Sequence, residues 1–396
     1  MASIIPREAQ LLNLDSSSSL PLGFESFDLP STNQRTLGAP HPPNTVIPLA
    51  LRLSTHGSET PGLDRVISFI KSLQAQDGVL TRKLAQHGTL LFRGLPINNA
   101  QDFSKFAHAF GYQPHEIIGI VVNRPLLAPN VAPANEAPKD VLIYSHNESP
   151  QVPHAPEYVF FYGHRVPVIG GESPISSSIE LFQRAKNEIP EFISELAQKG
   201  IQSKVTYKVE TQYAGGSTLK QAFGKEIEDG DDEATRRAKI EKQIQRYGRG
   251  EDTSWEWKDN GQTLILTHHL PAIRTQPNTN LPTLFTGLAA YYRNFVNIAN
   301  TARRNVTQQL YGDGTPIPEA YLKKLAEITE DIRVLHKWER GDVLVYDNII
   351  AQHGRQPWEG EQGDRVVMAS LWDGVVPGQF KGSEGSWARI VQASDG

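Results

Sequence analysis

The sequence predicts an α+β fold with a large β core, and three observations carry that prediction. Short runs rich in aromatic and β-branched residues recur along most of the chain, a composition suited to pleated, half-buried surfaces. Between them lie segments whose apolar residues recur at helical spacing. No internal repeat and no obvious linker divides the chain, so 396 residues, 38% of them hydrophobic, are expected to share one large core.

Residues 1 to about 45 are rich in Ser, Pro and Asn, as in SSSSLPLGF and GAPHPPNTVIP. They read as an extended arm ahead of a single domain spanning 46–396. From Leu63 to Gln86 the residues Leu63, Val66, Ile67, Ile70 and Leu73 fall at helical spacing. HGTLLFRGLPI is an apolar run closed by Gly and Pro, the signature of a buried strand. AQDFSKFAHAFGY reads as a helix stopped at Gly111. VLIYSHNE and EYVFFYGHRVPV are strand-like, and IELFQRAKNEIPEFISELAQKG is a helix interrupted at Pro190 and capped at Gly200. IQSKVTYKVE alternates as a strand. Residues 224–261 are strongly charged and predict a solvated helix inserted between strands. The strand TLILTHHL follows, then a helix through GLAAYYRNFVNIANTARRN and another, begun by Pro, through PIPEAYLKKLAEITEDI. The closing segment, GDVLVYDNIIAQHGRQPWEGEQGDRVVMASLW, reads as two strand runs joined by a polar Gly-rich turn.

Composition removes several function classes. A formal charge of -5 with no basic block argues against nucleic acid or an anionic membrane as the main partner. The N-terminus lacks a basic segment followed by an apolar run, and no stretch approaches the roughly 20 apolar residues of a membrane helix. The expected setting is the cytoplasm and the expected partner a small molecule, with the oligomeric state left open. With no cysteine, disulfides, thiolate metal ligands, iron–sulfur clusters and cysteine nucleophiles are all excluded. The sequons at Asn147 and Asn305 are read as incidental.

Chemistry concentrates in a few residues. His146 and Glu148 stand two apart, and on a strand that spacing directs both side chains to one face. Alone the pair means little, since roughly one His-x-Asp/Glu is expected by chance in such a chain. His353 follows DNIIAQ, and Arg365 comes after a turn-rich connection; in a hairpin the two strands would pair and return the arginine toward the histidine. Ser173 lies in GGESP. Two histidines and a carboxylate without thiolate suit a non-haem Fe(II) facial triad with three open positions. A chelating 2-oxo acid would fill two of these and O2 the third. An arginine suits the far carboxylate of such a co-substrate, with a hydroxyl completing the cradle. His164, His268 and His269 lack an acidic partner at ligand spacing, and with Trp338 and Trp358 they read as packing residues.

The segments ANEAPKDVLIYSHNE, PEYVFFYGHRVPVIGGESPIS and GDVLVYDNIIAQHGRQPWEGEQGDR resemble the TauD/TfdA (taurine dioxygenase-like) Fe(II)/2-oxoglutarate-dependent oxygenases, nearer their clavaminate synthase-like branch. The resemblance extends more thinly from about Pro48 to Trp372. It implies a double-stranded β-helix, a cupin-like jelly roll decorated by helices. It also implies Fe(II) held by His146, Glu148 and His353, with 2-oxoglutarate held by Arg365 and by Ser173, where the family usually has Thr. Glu148 replaces the commoner Asp, as is usual in the branch. Taurine-type enzymes carry a second arginine four residues after the first, but here that position is Ala369, so a sulfonate substrate is not expected. Arg124, Arg274 and Arg355 are the alternative anchors for an acidic substrate. Val343 and Val345 share a strand face with Asp347 and would form either an apolar wall for an aliphatic side chain or ordinary core.

The branch implies a role in secondary metabolism on a free or modified amino acid. Hydrogen removal from an unactivated C–H would lead to hydroxylation, desaturation or ring closure, such as aziridine formation on a valine-type amino acid, with release of succinate and CO2. Two other readings stay open. One is a Zn(II) hydrolase or lyase on the same three residues, which gives Arg365 and Ser173 no role. The other is a non-catalytic jelly-roll binding module.

Overall fold

The strand-like runs pair into two facing sheets in the computed structural model, which describes residues 12–13, 22–54, 61–119, 125–134, 137–210, 218–248, 250–296 and 307–374. The larger sheet is built from β1 (Leu12–Asn13), β2 (Gly23–Ser26), β3 (Leu49–Ser54), β4 (Thr89–Arg93), β5 (Gln113–Pro114) and β6 (Ala132–Pro133), joined by later strands. In chain order, the later strands of both sheets are β7 (Ile143–His146), β8 (Tyr158–Arg165) and β9 (Ser173–Ser177). An inserted sheet uses β10 (Ile201–Lys208), β11 (Thr253–Lys258), β12 (Thr263–Leu270) and β13 (Thr307–Tyr311). The chain returns through β14 (Val334–His336), β15 (Val343–Asp347), β16 (Ala351–Arg355) and β17 (Val366–Asp373).

The larger sheet runs β1–β2–β3–β4–β15–β8–β17–β5, with β6 added on β17, and the smaller runs β14–β9–β16–β7. Every pair is antiparallel except β3 with β4. This is a jelly-roll, double-stranded β-helix core, as the resemblance implies.

Strand alternation decides what each face does. Val159, Leu344, Tyr346 and Val367 of the larger sheet pack on Ile175, Val334 and Ala351 of the smaller one, forming the core between the sheets. Their neighbours Phe160, Tyr162, Val343 and Val345 point the other way. They meet Phe69, Phe103 and Phe106 from the helices α1 (Leu63–Ala75) and α3 (Ala100–His108). Each such wholly buried side chain is stabilised by about 1.5–3 kcal/mol of burial. Val343 and Val345 therefore belong to the core beneath the helices rather than to a substrate wall.

Other differences from the sequence reading have local causes. The period from Leu63 to Gln86 is two helices, because Asp77 and Gly78 take φ of 56° and 62° and break the ladder before α2 (Val79–His87). The helical run around Pro190 divides into α4 (Ser178–Glu188) and α5 (Pro190–Lys199), with Pro190 at the first position of the second. The charged segment does hold a helix, α6 (Glu233–Tyr247), but its C-terminal part becomes β11, an edge strand of the inserted sheet β11–β12–β10–β13. The predicted helix through GLAAYYRN is a short turn, α7 (Leu288–Tyr291), continued by a π-helical turn to Val296; the remainder lies outside the described residues. The helix begun by Pro is α8 (Glu319–Asp331).

The closing segment holds three strands, not two. β15 and β17 both flank β8 in the larger sheet, while β16 lies in the smaller sheet between β9 and β7. The strand bearing His353 and the one following Arg365 therefore do not form a hairpin.

Candidate metal and co-substrate site

β7 ends at His146, and Glu148 lies beyond the strand in a bend. The shared-face argument from strand spacing thus does not apply to this pair. Asn348 aims Glu148 instead: its Oδ1 accepts from Glu148 N at 2.6 Å and its Nδ2 donates to Glu148 O at 3.1 Å and Pro156 O at 2.7 Å. Asn348 occupies the turn that carries the chain from β15 to β16, so the crossing between sheets also fixes the carboxylate's backbone.

Asn147, between the two, is wholly buried. Its Nδ2 donates to Asn348 O at 2.6 Å and Ser178 Oγ at 3.1 Å, while its Oδ1 accepts from Thr286 N at 2.8 Å and Gln352 Nε2 at 3.2 Å. An asparagine so enclosed is no glycan acceptor in the folded chain. The other sequon, at Asn305, lies outside the described residues.

β16 sets His353 directly opposite His146 in the β7 register. The two ring centroids are 4.8 Å apart, His353 Nε2 is 3.3 Å from Glu148 Oε2, and one donor atom from each of the three residues falls within 4.8 Å of the others. His146 Nδ1 donates to Tyr144 O at 2.7 Å, which fixes the ring and leaves Nε2 its lone pair. Burial, then the neighbouring His353, pushes the His146 imidazole below its ordinary range and favours the neutral form that binds metal. His353 is packed by the Phe161 and Tyr346 rings at 5.0 and 5.4 Å. Its buried Nδ1 has no hydrogen-bond partner among the described residues. Two imidazoles and one carboxylate, without thiolate and with one side open, form a donor set that suits Fe(II).

Facing this group across a cavity of about 190 Å³ are Arg365 and Ser173. Arg365 immediately precedes β17, and its Nε donates to Gly171 O at 3.1 Å. Its terminal nitrogens make no hydrogen bond among the described residues. Gly171, at φ 71°, lets the arginine approach; a Cβ there would stand 2.7 Å from Pro167 Cγ and 3.1 Å from Arg365 Cδ. Burial, and then repulsion from Arg355, lowers the Arg365 guanidinium to about 10, the condition of a cation awaiting an anion. Ser173 Oγ accepts from Trp338 Nε1 at 2.9 Å, which leaves its own O–H to donate. Trp338 is therefore more than packing. Trp358 lies beneath both arginines, 4.9 Å from Arg355 and 5.8 Å from Arg365.

The substrate candidates fare differently. Arg355 lines the cavity, but its terminal nitrogens donate to the carbonyls of Ala137, Pro138 and Val141 at 2.9, 2.7 and 2.6 Å, a structural clamp. Arg274, on the short strand Ile273–Thr275, is buried against the Phe285 ring at 3.7 Å and does not line the cavity. Arg124 lies outside the described residues. Val343 and Val345 are absent from the lining; the apolar wall comes instead from Ile117, Leu126, Ala132, Ala134, Val367 and Leu371, beside Ala369. A second cavity, of about 310 Å³, touches the other side of His146 and is walled by β10, α7 and β13.

Asn147, Asn348 and Trp338 are the site residues that the sequence reading missed. The Asp347–Asn348 pair at the end of an apolar strand, just before the His353 strand, was the available signal for one of them.

The chain is similar to known proteins over most of its length. The profile described as "Taurine catabolism dioxygenase TauD, TfdA family" matches residues 60–372. A clavaminate synthase-like protein of Arabidopsis thaliana is 30% identical over 307 residues, covering 76% of this chain and 87% of that protein. The dapdiamide synthesis protein DdaC of Enterobacter agglomerans is 26% identical over 306 residues, covering 74% and 84%. Among solved structures, a taurine dioxygenase from Burkholderia xenovorans aligns at a TM-score of 0.43 and 16% identity, covering 91% of this chain and 99% of that one.

Proposed function

The chain belongs to the TauD, TfdA family of Fe(II)- and 2-oxoglutarate-dependent dioxygenases, and from that premise we propose that His146, Glu148 and His353 hold the iron while Arg365 and Ser173 hold the co-substrate. The observation that carries the proposal is the convergence of the three donor atoms within 4.8 Å, opposite an arginine whose terminal nitrogens are uncommitted among the described residues. Bound Fe(II), with 2-oxoglutarate and O2, supplies the oxidising power that removes hydrogen from an unactivated C–H and releases succinate and CO2.

The chain's own part is binding, orientation and exclusion of water. Arg365 neutralises and aligns the distal carboxylate by paired N–H donors, and Ser173, held by Trp338, donates its O–H to the same group. Asn348 keeps Glu148 turned toward the histidines, as outer partners of metal ligands do. The apolar wall from Ile117 to Leu371 excludes water from the face where a substrate C–H would lie.

The substrate in this reading is a small amino-acid-like molecule of secondary metabolism, turned over in the cytoplasm by hydroxylation, desaturation or ring closure. Similarity to a protein of dapdiamide synthesis supports that class, and Ala369 in place of a second arginine argues against a sulfonate. A Zn(II) hydrolase would leave the Arg365–Ser173 cradle without a task.

The test is succinate release across a panel of amino acids and their amides. Arg365→Ala is expected to raise the KM for 2-oxoglutarate at least about 30-fold, equivalent to about 2 kcal/mol for an unpaired buried charge. An unchanged KM would remove Arg365 from the role.

A further inference from the structure

Outside this site the fold assembles a second set of two histidines and one carboxylate: His115, His154 and Asp373. They come from three separate segments. His115 immediately follows β5, His154 lies in the loop after Glu148, and Asp373 ends β17. His115 Nδ1 is 2.7 Å from Asp373 Oδ1, and His154 Nε2 is 3.3 Å from Asp373 Oδ2. The two rings stack with centroids 4.6 Å apart and planes at 22°.

These dimensions match those of the first group, where the ring centroids are 4.8 Å apart and the imidazole–carboxylate distance is 3.3 Å. Donors about 2.1 Å from a shared cation stand about 3.0–3.5 Å apart, so small adjustments bring all three onto one ion. The side chains of His115 and Asp373 are 3% and 9% exposed, while that of His154 is 29% exposed. Two donors are thus fixed in the interior and the third faces solvent, which supplies an entry path and room for completing water ligands. The Tyr247 ring lies 5.8 Å from His154, and its hydroxyl donates to Glu116.

We propose that His115, His154 and Asp373 form a second divalent-cation site, of the Zn(II) class, distinct from the iron position. The nitrogen and oxygen donors suit a structural ion. Its location gives it a task. The ion ties the segment leading to Ile117 of the cavity wall, and the loop leaving Glu148, to the end of the strand that Arg365 precedes. It is a staple across the mouth of the site, and it stands whether or not the first site holds iron.

The probe is Zn(II) alone, added to chelator-stripped full-length protein and counted by elemental analysis after gel filtration. Wild type is expected to retain two equivalents and His353→Ala one. His154→Ala, at the half-exposed donor where misfolding is least expected, is expected to lose one equivalent and keep its circular dichroism. Asp373→Asn is the confirming variant. Co(II) in the His353→Ala background gives a second readout, visible d–d absorption that disappears when His154→Ala is added. Retention in wild type that His154→Ala leaves unchanged, whether of one equivalent or of two, would overturn the assignment.

Discussion

Asn348 grips Glu148 by both of its backbone groups, so a candidate metal ligand depends on a side chain 200 positions away in sequence. Asn348→Ala is expected to weaken Co(II) or Fe(II) binding about 10- to 100-fold in an anaerobic titration, with the histidines untouched. Asn147→Ala removes a wholly buried amide and leaves its partners unpaired, at a cost of about 3 kcal/mol in chemical denaturation. Asp347 has a different consequence. Burial raises its carboxyl to about 7 from an ordinary 3.8, so between those values the native state keeps a proton that the unfolded chain releases. The stability this group adds is fully present below about pH 4 and is lost as pH climbs through about 7. Glu157, also raised to about 7 by burial, acts in the same direction. Asp347→Asn is therefore expected to flatten the decline in thermal midpoint between about pH 5 and pH 8. At this scale His146, Glu148, His353, Ser173 and Arg365 were singled out through the resemblance of the segments that hold them, while the strand-face and hairpin arguments from spacing did not apply. Asn147 was not legible, because its importance lies in long-range partners that no local pattern announces, and Asn348 was marked only by its place in the Asp347–Asn348 pair before the His353 strand.

Strands and helices were legible where burial is one-sided. TLILTHHL and IQSKVTYKVE alternate, and they pair as β12 with β10 over eight residues each. Breaks were less visible: the left-handed Asp77–Gly78 interrupts an otherwise continuous helical period. The larger miss was the pairing of the closing strands. A connection of ten residues between β16 and β17 fits a hairpin by length, but each strand finds its partner in a different sheet. Only the closure of the whole barrel decides between those outcomes. The same closure turns Val343 and Val345 toward the helices and Leu344 and Tyr346 inward. Val343→Ala should therefore cost about 2 kcal/mol of stability while leaving the substrate preference of succinate release unchanged. A shift in preference without a loss of stability would return the valine to the substrate wall.

At the scale of the molecule, chemistry sits between the two sheets. The smaller sheet contributes His146, His353 and Ser173, and Arg365 immediately precedes β17 of the larger. Closing the jelly roll assembles the site, which explains why residues far apart in sequence converge in one cavity. The inserted sheet adds the second cavity against His146, a feature that no motif in the sequence foretold. The central claim is that the three donors and the arginine act as one Fe(II)/2-oxoglutarate site. Its most direct test is anaerobic addition of Fe(II) and then 2-oxoglutarate, following the weak visible charge-transfer absorption of the chelate. The account predicts the band in wild type and in His154→Ala, its loss in His353→Ala, and its appearance only at much higher 2-oxoglutarate in Arg365→Ala. Absence of the band in folded wild type, or its survival in His353→Ala, would contradict the account.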